Sequence, residues 1–203
     1  MSCGYAQNYP VRVTPILSPP YTPFLTDYIE AGSDKLALHI TLNDVTIPQY
    51  RCKLRVTIEG VNISITTNPN FVPSPLTLAG GVPEILYGSD LSEYFKTSNL
   101  TFKGMSLEEF EKKGSQLPEG IYRFSFEVLD YNRGTVVSNI GSTTAWMILN
   151  DPPIINVPVN NAKLKPLNPQ NLVFQWTPRH RGSPNAAFTT EYDVKLVEIW
   201  PQG

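Results

Sequence analysis

The chain has 203 residues, 41% hydrophobic and 17% charged, enough for one large or two small domains with buried cores and too apolar for a disordered chain. Lys and Arg number 16 against 18 Asp and Glu, a net charge of -2, which excludes the electrostatic footprint of a nucleic-acid or anionic-lipid binder. The 19 Pro and 13 Gly break up long helices but leave room for short strands, and no run of 18 apolar residues offers a transmembrane helix.

In chain order, the first feature is Gly4 and Ala6, two apart and followed by Gln7, which match the small-x-small site that closes a secretory signal peptide. Residues 1–6 are therefore expected to be a signal-peptide remnant or an expression scar, and the protein to be exported. Two alternatives stand beside this: Cys3 as the acylated cysteine of a lipoprotein box, and a native Met1 on a cytosolic chain. Residues 7–29 hold Pro10, Pro15, Pro19, Pro20 and Pro23 among Tyr9, Tyr21, Phe24 and Tyr28. They predict a Pro-rich extended arm, neither helix nor central strand, that docks along a domain or reaches for a neighbour.

Strict alternation begins at residues 35–43, where Leu36, Leu38, Ile40 and Leu42 share one face. Residues 51–59 repeat it, with Cys52, Leu54, Val56 and Ile58 opposite Arg51, Lys53, Arg55, Thr57 and Glu59. The connection 44–49, broken by Pro48, suits an antiparallel pairing of these two strands. Further strands are predicted over 61–67, 76–78, 122–128, 135–137 and 143–149, with turns at Gly80-Gly81 and over 130–134. Asp90 with Glu93, and Ser106 with Glu109, have capping-box spacing and predict two short helices, the second ending at Gly114. The sum is an all-β fold: an immunoglobulin-like antiparallel β-sandwich over 30–151 with short helical excursions. Pro152-Pro153 then marks a stiff linker and a domain boundary near residue 152.

Beyond it, residues 171–177 and 191–200 read as strands. Two strands do not make a stable sandwich, so 152–203 is expected to be the start of a second, incomplete domain and the chain to be the N-terminal piece of a longer polypeptide.

Residues that could carry chemistry are few. Cys3 and Cys52 allow no disulfide framework once Cys3 is assigned to the remnant, and Cys52 reads as a core residue rather than a nucleophile. His39 and His180 are the only histidines and lack ligand-spaced partners; His39 reads as a solvent-face strand residue. Asp130, Asn132 and Gly134 resemble the start of a calcium loop but lack its distal Glu, and turn chemistry explains them better. No Gly-x-Ser-x-Gly occurs, and Gly80, Gly81 and Gly88 make no phosphate cradle. Glu108, Glu109 and Glu111 before Lys112 and Lys113 describe a solvated helix ordered to suit its dipole. The sequons at Asn62 and Asn99 are too common by chance to carry weight. No catalytic, cofactor-binding or metal-binding residue is assigned.

Leu172, Phe174 and Trp176 on one face, Pro178 after them, and Tyr192, Val194 and Leu196 on the next strand resemble the B and C strands of a fibronectin type III domain. The wider set of strings Tyr9-Pro-Val-Arg-Val-Thr-Pro15, Leu117-Pro-Glu-Gly-Ile-Tyr-Arg-Phe124, Val128-Leu-Asp-Tyr131, Leu149-Asn-Asp-Pro-Pro153 and Phe174-Gln-Trp-Thr-Pro-Arg-His180 is similar to the N-terminal region of large exported Bacteroidota proteins. Those proteins carry fibronectin type III repeats and, in some members, a TANFOR domain. The resemblance implies a bacterial envelope or cell-surface protein, lends no catalytic residues, and links some members to gliding or type IX secretion.

The function expected from this is a non-catalytic scaffold, spacer or adhesin module, exported and held at the cell surface or outer membrane. Its partners would be other envelope proteins, and a third reading makes the Pro-rich arm a plug into an outer-membrane translocon. The alternative is a carbohydrate-binding or enzyme-accessory module, with Tyr87, Tyr94 and Tyr131 as sugar-stacking aromatics.

Overall fold

The structure, a computed structural model, describes residues 9–181 and 190–197. Nine strands build its first part: β1 (Val11–Leu17), β2 (Leu36–Leu42), β3 (Tyr50–Glu59), β4 (Ser64–Thr67), β5 (Leu76–Leu78), β6 (Pro83–Tyr87), β7 (Leu100–Lys103), β8 (Gly120–Asp130) and β9 (Gly141–Met147). They form two antiparallel sheets, one ordered β1-β2-β6 and the other β7-β4-β3-β8-β9, with β5 also paired to β3. Alternation puts Leu36, Leu38, Ile40 and Leu42 of one sheet and Cys52, Leu54, Val56 and Ile58 of the other in the same buried layer, and Phe124, Phe126 and Val128 of β8 join them there. This is an all-β sandwich. Burying each of the larger of these side chains contributes about 1.5–3 kcal/mol, the main force holding the sheets face to face.

Four expectations are corrected. Of the expected arm, the described residues 9–29 dock along the sandwich rather than reach for a neighbour, and they do so as a ladder strand: β1 pairs with β2 along its whole length, from Val11 opposite Leu42 to Leu17 opposite Leu36. Val11, Val13, Pro15 and Leu17 point inward and Arg12, Thr14 and Ile16 outward, a period-2 pattern that the prolines obscure. Pro15 is tolerated because odd-numbered residues of β1 aim their N–H away from β2, as Val11 and Val13 do toward Val137 O and Asn139 Oδ1, so the missing donor breaks no bond to β2. Tyr28, at the end of the 3-10 turn Leu25–Tyr28, is fully buried.

The second correction concerns β2 and β3. They do not pair with each other: β2 lies between β1 and β6, while β3 pairs with β4, β5 and β8. Two strictly one-faced strands with the same apolar residues are satisfied by facing each other across a core as well as by pairing side by side, and local sequence does not choose between these. The connection from one sheet to the other is fixed by Asp44, whose Oδ1 accepts from Thr46 N–H at 2.9 Å. It packs so closely on Gly80 that a Cβ there would stand 2.1 Å from Asp44 O, so Gly80 is needed for the approach rather than for a turn alone.

The third correction is Asp90. The short helix expected there is present as the 3-10 helix Gly88–Phe95, but Asp90 is its N3 residue rather than its N-cap: Oδ2 accepts from the N–H of the N-cap residue Tyr87, three residues back, at 2.9 Å. Ser106 behaves as expected, with Oγ accepting from Glu109 N–H at 3.1 Å at the start of helix α1 (Leu107–Lys112). The fourth is 135–137, which forms a single bridge, Leu129 to Val136, rather than a strand. Residues 137–139 are instead taken up by the edge of β1.

Candidate interaction surface

After β9 the chain runs through Pro152-Pro153 into β10 (Ile154–Val157), which pairs antiparallel with β11 (Gln175–Thr177). This pairing corrects the expected one. The strand expected over 171–177 is reduced to Gln175–Thr177, its partner is Ile154–Val157, where no strand was expected, and 191–197 carries no strand, while 198–200 lies outside the described residues. The overlooked signal is the β-branched run Ile154, Ile155 and Val157; a proline pair directly before a strand costs it no ladder bond.

Every residue of β10 and β11 is exposed. Ile155 and Trp176 stand opposite one another across the pair, 61% and 38% exposed. The Tyr192 ring lies 5.6 Å from Trp176 and 6.2 Å from the His180 ring. The Tyr192 hydroxyl is 3.4 Å from His180 Nε2, and His180 Nδ1 is buried without a hydrogen-bond partner. Asn156 Nδ2 donates to Thr177 Oγ1 at 2.8 Å and helps hold the two strands in register. The result is an aromatic and aliphatic surface presented by a minimal, two-stranded sheet whose outer edges pair with no further strand among the described residues.

The residues singled out from sequence are scattered over the sandwich. Cys52 is fully buried and free, and burial pushes its thiol from the ordinary 9.0 up to about 12, with the Asp130 charge adding to the effect. His39 lies half-buried on the outer face of β2, between Thr14 and Ile85, the strand position expected of it. Asp130 is a turn residue: Oδ1 accepts from Arg133 N–H at 2.8 Å and Asn132 N–H at 3.1 Å, and Tyr50 OH donates to Oδ2 at 2.9 Å. The Arg133 N–H foremost holds this carboxyl below its ordinary range. Glu108 and Glu109 pair with Lys112 and Lys113 at 2.7 and 2.8 Å on solvent-facing α1, and Glu111 accepts from Thr97 Oγ1.

The three tyrosines do not line up as a sugar-stacking platform. Tyr94 is fully buried, with its hydroxyl accepting from Leu54 N–H at 3.2 Å. Tyr131 donates to Pro73 O at 3.0 Å with the Arg51 guanidinium 4.9 Å from its ring centre, and only Tyr87 of the three is exposed. A cleft of about 250 Å³ beside the junction is walled by Tyr21, Phe24, Asp27, Lys35, Leu149 and Asn150. Among the described residues no group of three or more His, Cys, Asp or Glu is placed to hold a metal ion, and no helix is long and apolar enough to cross a membrane. In comparisons with known proteins, no family model, curated protein or solved structure matches the chain.

Proposed function

We propose that the chain is a non-catalytic structural or protein-interaction module of a large exported protein of the bacterial envelope or cell surface, where it serves as scaffold, spacer or adhesin. The observation that carries this reading is the Ile155–Trp176 pair on a two-stranded sheet with every residue exposed. Large apolar side chains left in water forfeit about 1.5–3 kcal/mol each, and an open strand edge beside them is a template for another polypeptide segment. The partners are other envelope proteins. A translocon of the outer membrane is one such partner, but the segment that would have reached it, residues 11–17, is already paired with β2.

The order β1-β2-β6 facing β7-β4-β3-β8-β9 supports an immunoglobulin-like assignment for the sandwich. Support for export comes from the Gly4 and Ala6 spacing, and for the Bacteroidota envelope, gliding or type IX secretion from the sequence strings that resemble such proteins. For the test, tagged wild-type chain and an Ile155→Asp, Trp176→Asp variant are each expressed in a Bacteroidota host and purified from the envelope, and copurifying chains are identified by mass spectrometry. The reading expects envelope proteins that accompany the wild type and are lost from the variant. Recovery of both chains in the cytoplasm, or identical sets of partners, would overturn it.

A further inference from the structure

The sandwich and the β10–β11 module meet at a polar junction. Leu149 N–H, just past β9, donates to Glu119 Oε1 at 3.0 Å. Asp151 N–H donates to Arg179 O at 3.1 Å, and Arg181 N–H to Asn150 Oδ1 at 3.1 Å. Ion pairs lie over these bonds: Arg179 to Asp151 at 3.0 Å, Arg181 to Asp151 at 3.6 Å and Arg181 to Glu119 at 3.9 Å. Arg181 thus ties a carboxylate of the sandwich to one of the linker, while Arg179 and Arg181 both belong to the stretch that leaves β11.

We propose that Glu119, Asp151, Arg179 and Arg181 form a salt-governed latch that holds the β10–β11 module in one orientation on the sandwich and releases it as ionic strength rises. Among the described residues at this joint Leu149, Pro152 and Pro153 are exposed, and the contacts that span it are polar and charged. The four side chains are between 33% and 46% exposed. At that exposure ion pairs are individually weak and strongly screened by salt, and the hydrogen bonds beneath them, with that from Asn150 Nδ2 to Thr190 Oγ1 at 3.2 Å, exchange readily with water once the charges let go. Closed, the latch fixes where the Ile155–Trp176 surface points. Open, the module swings about 152–153, where two prolines limit but do not abolish rotation. The latch does not depend on what covers that surface.

Small-angle X-ray scattering on the full chain, in about 20 mM and about 500 mM salt, tests the latch, because the Debye length falls severalfold over that range. The wild type is expected to lengthen in high salt, with the ratio of latched to open molecules falling about tenfold. An Asp151→Asn, Arg181→Gln variant, whose changes lie on partly exposed side chains, should be extended in both salts, with the near-ultraviolet circular dichroism of the sandwich unchanged. A wild-type profile indifferent to salt, or a neutralised variant as compact as the wild type in low salt, would overturn the proposal.

Discussion

Asn139 completes the hydrogen bonding of Val13, a residue 126 positions away: its Oδ1 accepts from Val13 N–H at 2.9 Å and its Nδ2 donates to Val13 O at 3.0 Å. The side-chain amide does what a backbone peptide of a neighbouring strand would do. Beside it Ser138, fully buried, accepts from Val128 N–H at 2.7 Å and donates to Asn139 O at 2.8 Å. These two residues fasten β1 to the edge of the larger sheet, beside the short parallel bridge of Val11 with Ser138 and its bond from Val11 N–H to Val137 O.

Asn139→Ala leaves both polar groups of Val13 without a partner inside the protein and should lower unfolding stability by about 1–3 kcal/mol. Urea denaturation followed by fluorescence measures this. Asn139→Asp keeps the acceptor but sets a carboxylate against Val13 O, and should be no better than Ala.

Cys52 ties stability to alkaline pH. Its thiol is raised from 9.0 to about 12 in the folded chain, so above pH 9 the unfolded chain loses this proton first. The folded state then holds more protons, and stability falls as pH rises, being fully retained only below the unfolded value. Between about pH 8 and about pH 10.5 the stability gap between wild type and Cys52→Val should move by about 1–2 kcal/mol in favour of the variant. Burial raises Tyr28, Tyr94 and Tyr122 in the same direction in both proteins. In a Cys3→Ser background, a thiol reagent should label native Cys52 only as fast as the chain unfolds; rapid stoichiometric labelling would contradict the burial.

Gly88 follows β6 and passes directly beneath Tyr28, where an added Cβ would stand 1.6 Å from Tyr28 O. Neither partner is a flexible side-chain end, so the backbone of one segment must move. Gly88→Ala should cost more than about 3 kcal/mol, seen as a lower melting temperature and loss of the near-ultraviolet signal of the buried Tyr28 and Tyr94.

His39→Ala, on the sandwich and away from the Ile155–Trp176 surface, should leave partner binding unchanged and change stability by about 0.5 kcal/mol or less. His180→Ala gives up a 3.4 Å contact to the Tyr192 hydroxyl and the ring contact at 6.2 Å beside the interaction surface, so it is read by turnover alone. Isothermal denaturation and partner capture read the two quantities, and loss of a measurable catalytic turnover on removing either imidazole would refute the non-catalytic reading.

What the amino-acid sequence determines by itself is whatever depends on a residue and its near neighbours. The alternation of Leu36 to Leu42, of Cys52 to Ile58 and of Tyr122 to Val128 dictates strands with one buried face, and each became one. Ser106 dictates the start of α1, and Asp130 the turn after β8, because both act on backbone groups two or three residues away. Tertiary structure alone decided which strands pair. Side-chain periodicity records a face but not a neighbour, so β2 and β3 went to opposite sheets although the sequence between them suits a direct pairing. The same limit hid β1, whose Pro15 is harmless only because β2 lies on the other side of its backbone, and it hid Asn139, whose partner is 126 residues distant. In the second module the apolar residues of 171–177 and 191–197 are plain in the sequence. That β11 pairs with Ile154–Val157, leaving Ile155 and Trp176 exposed, is a partner choice between distant segments, which the periodicity of neither records.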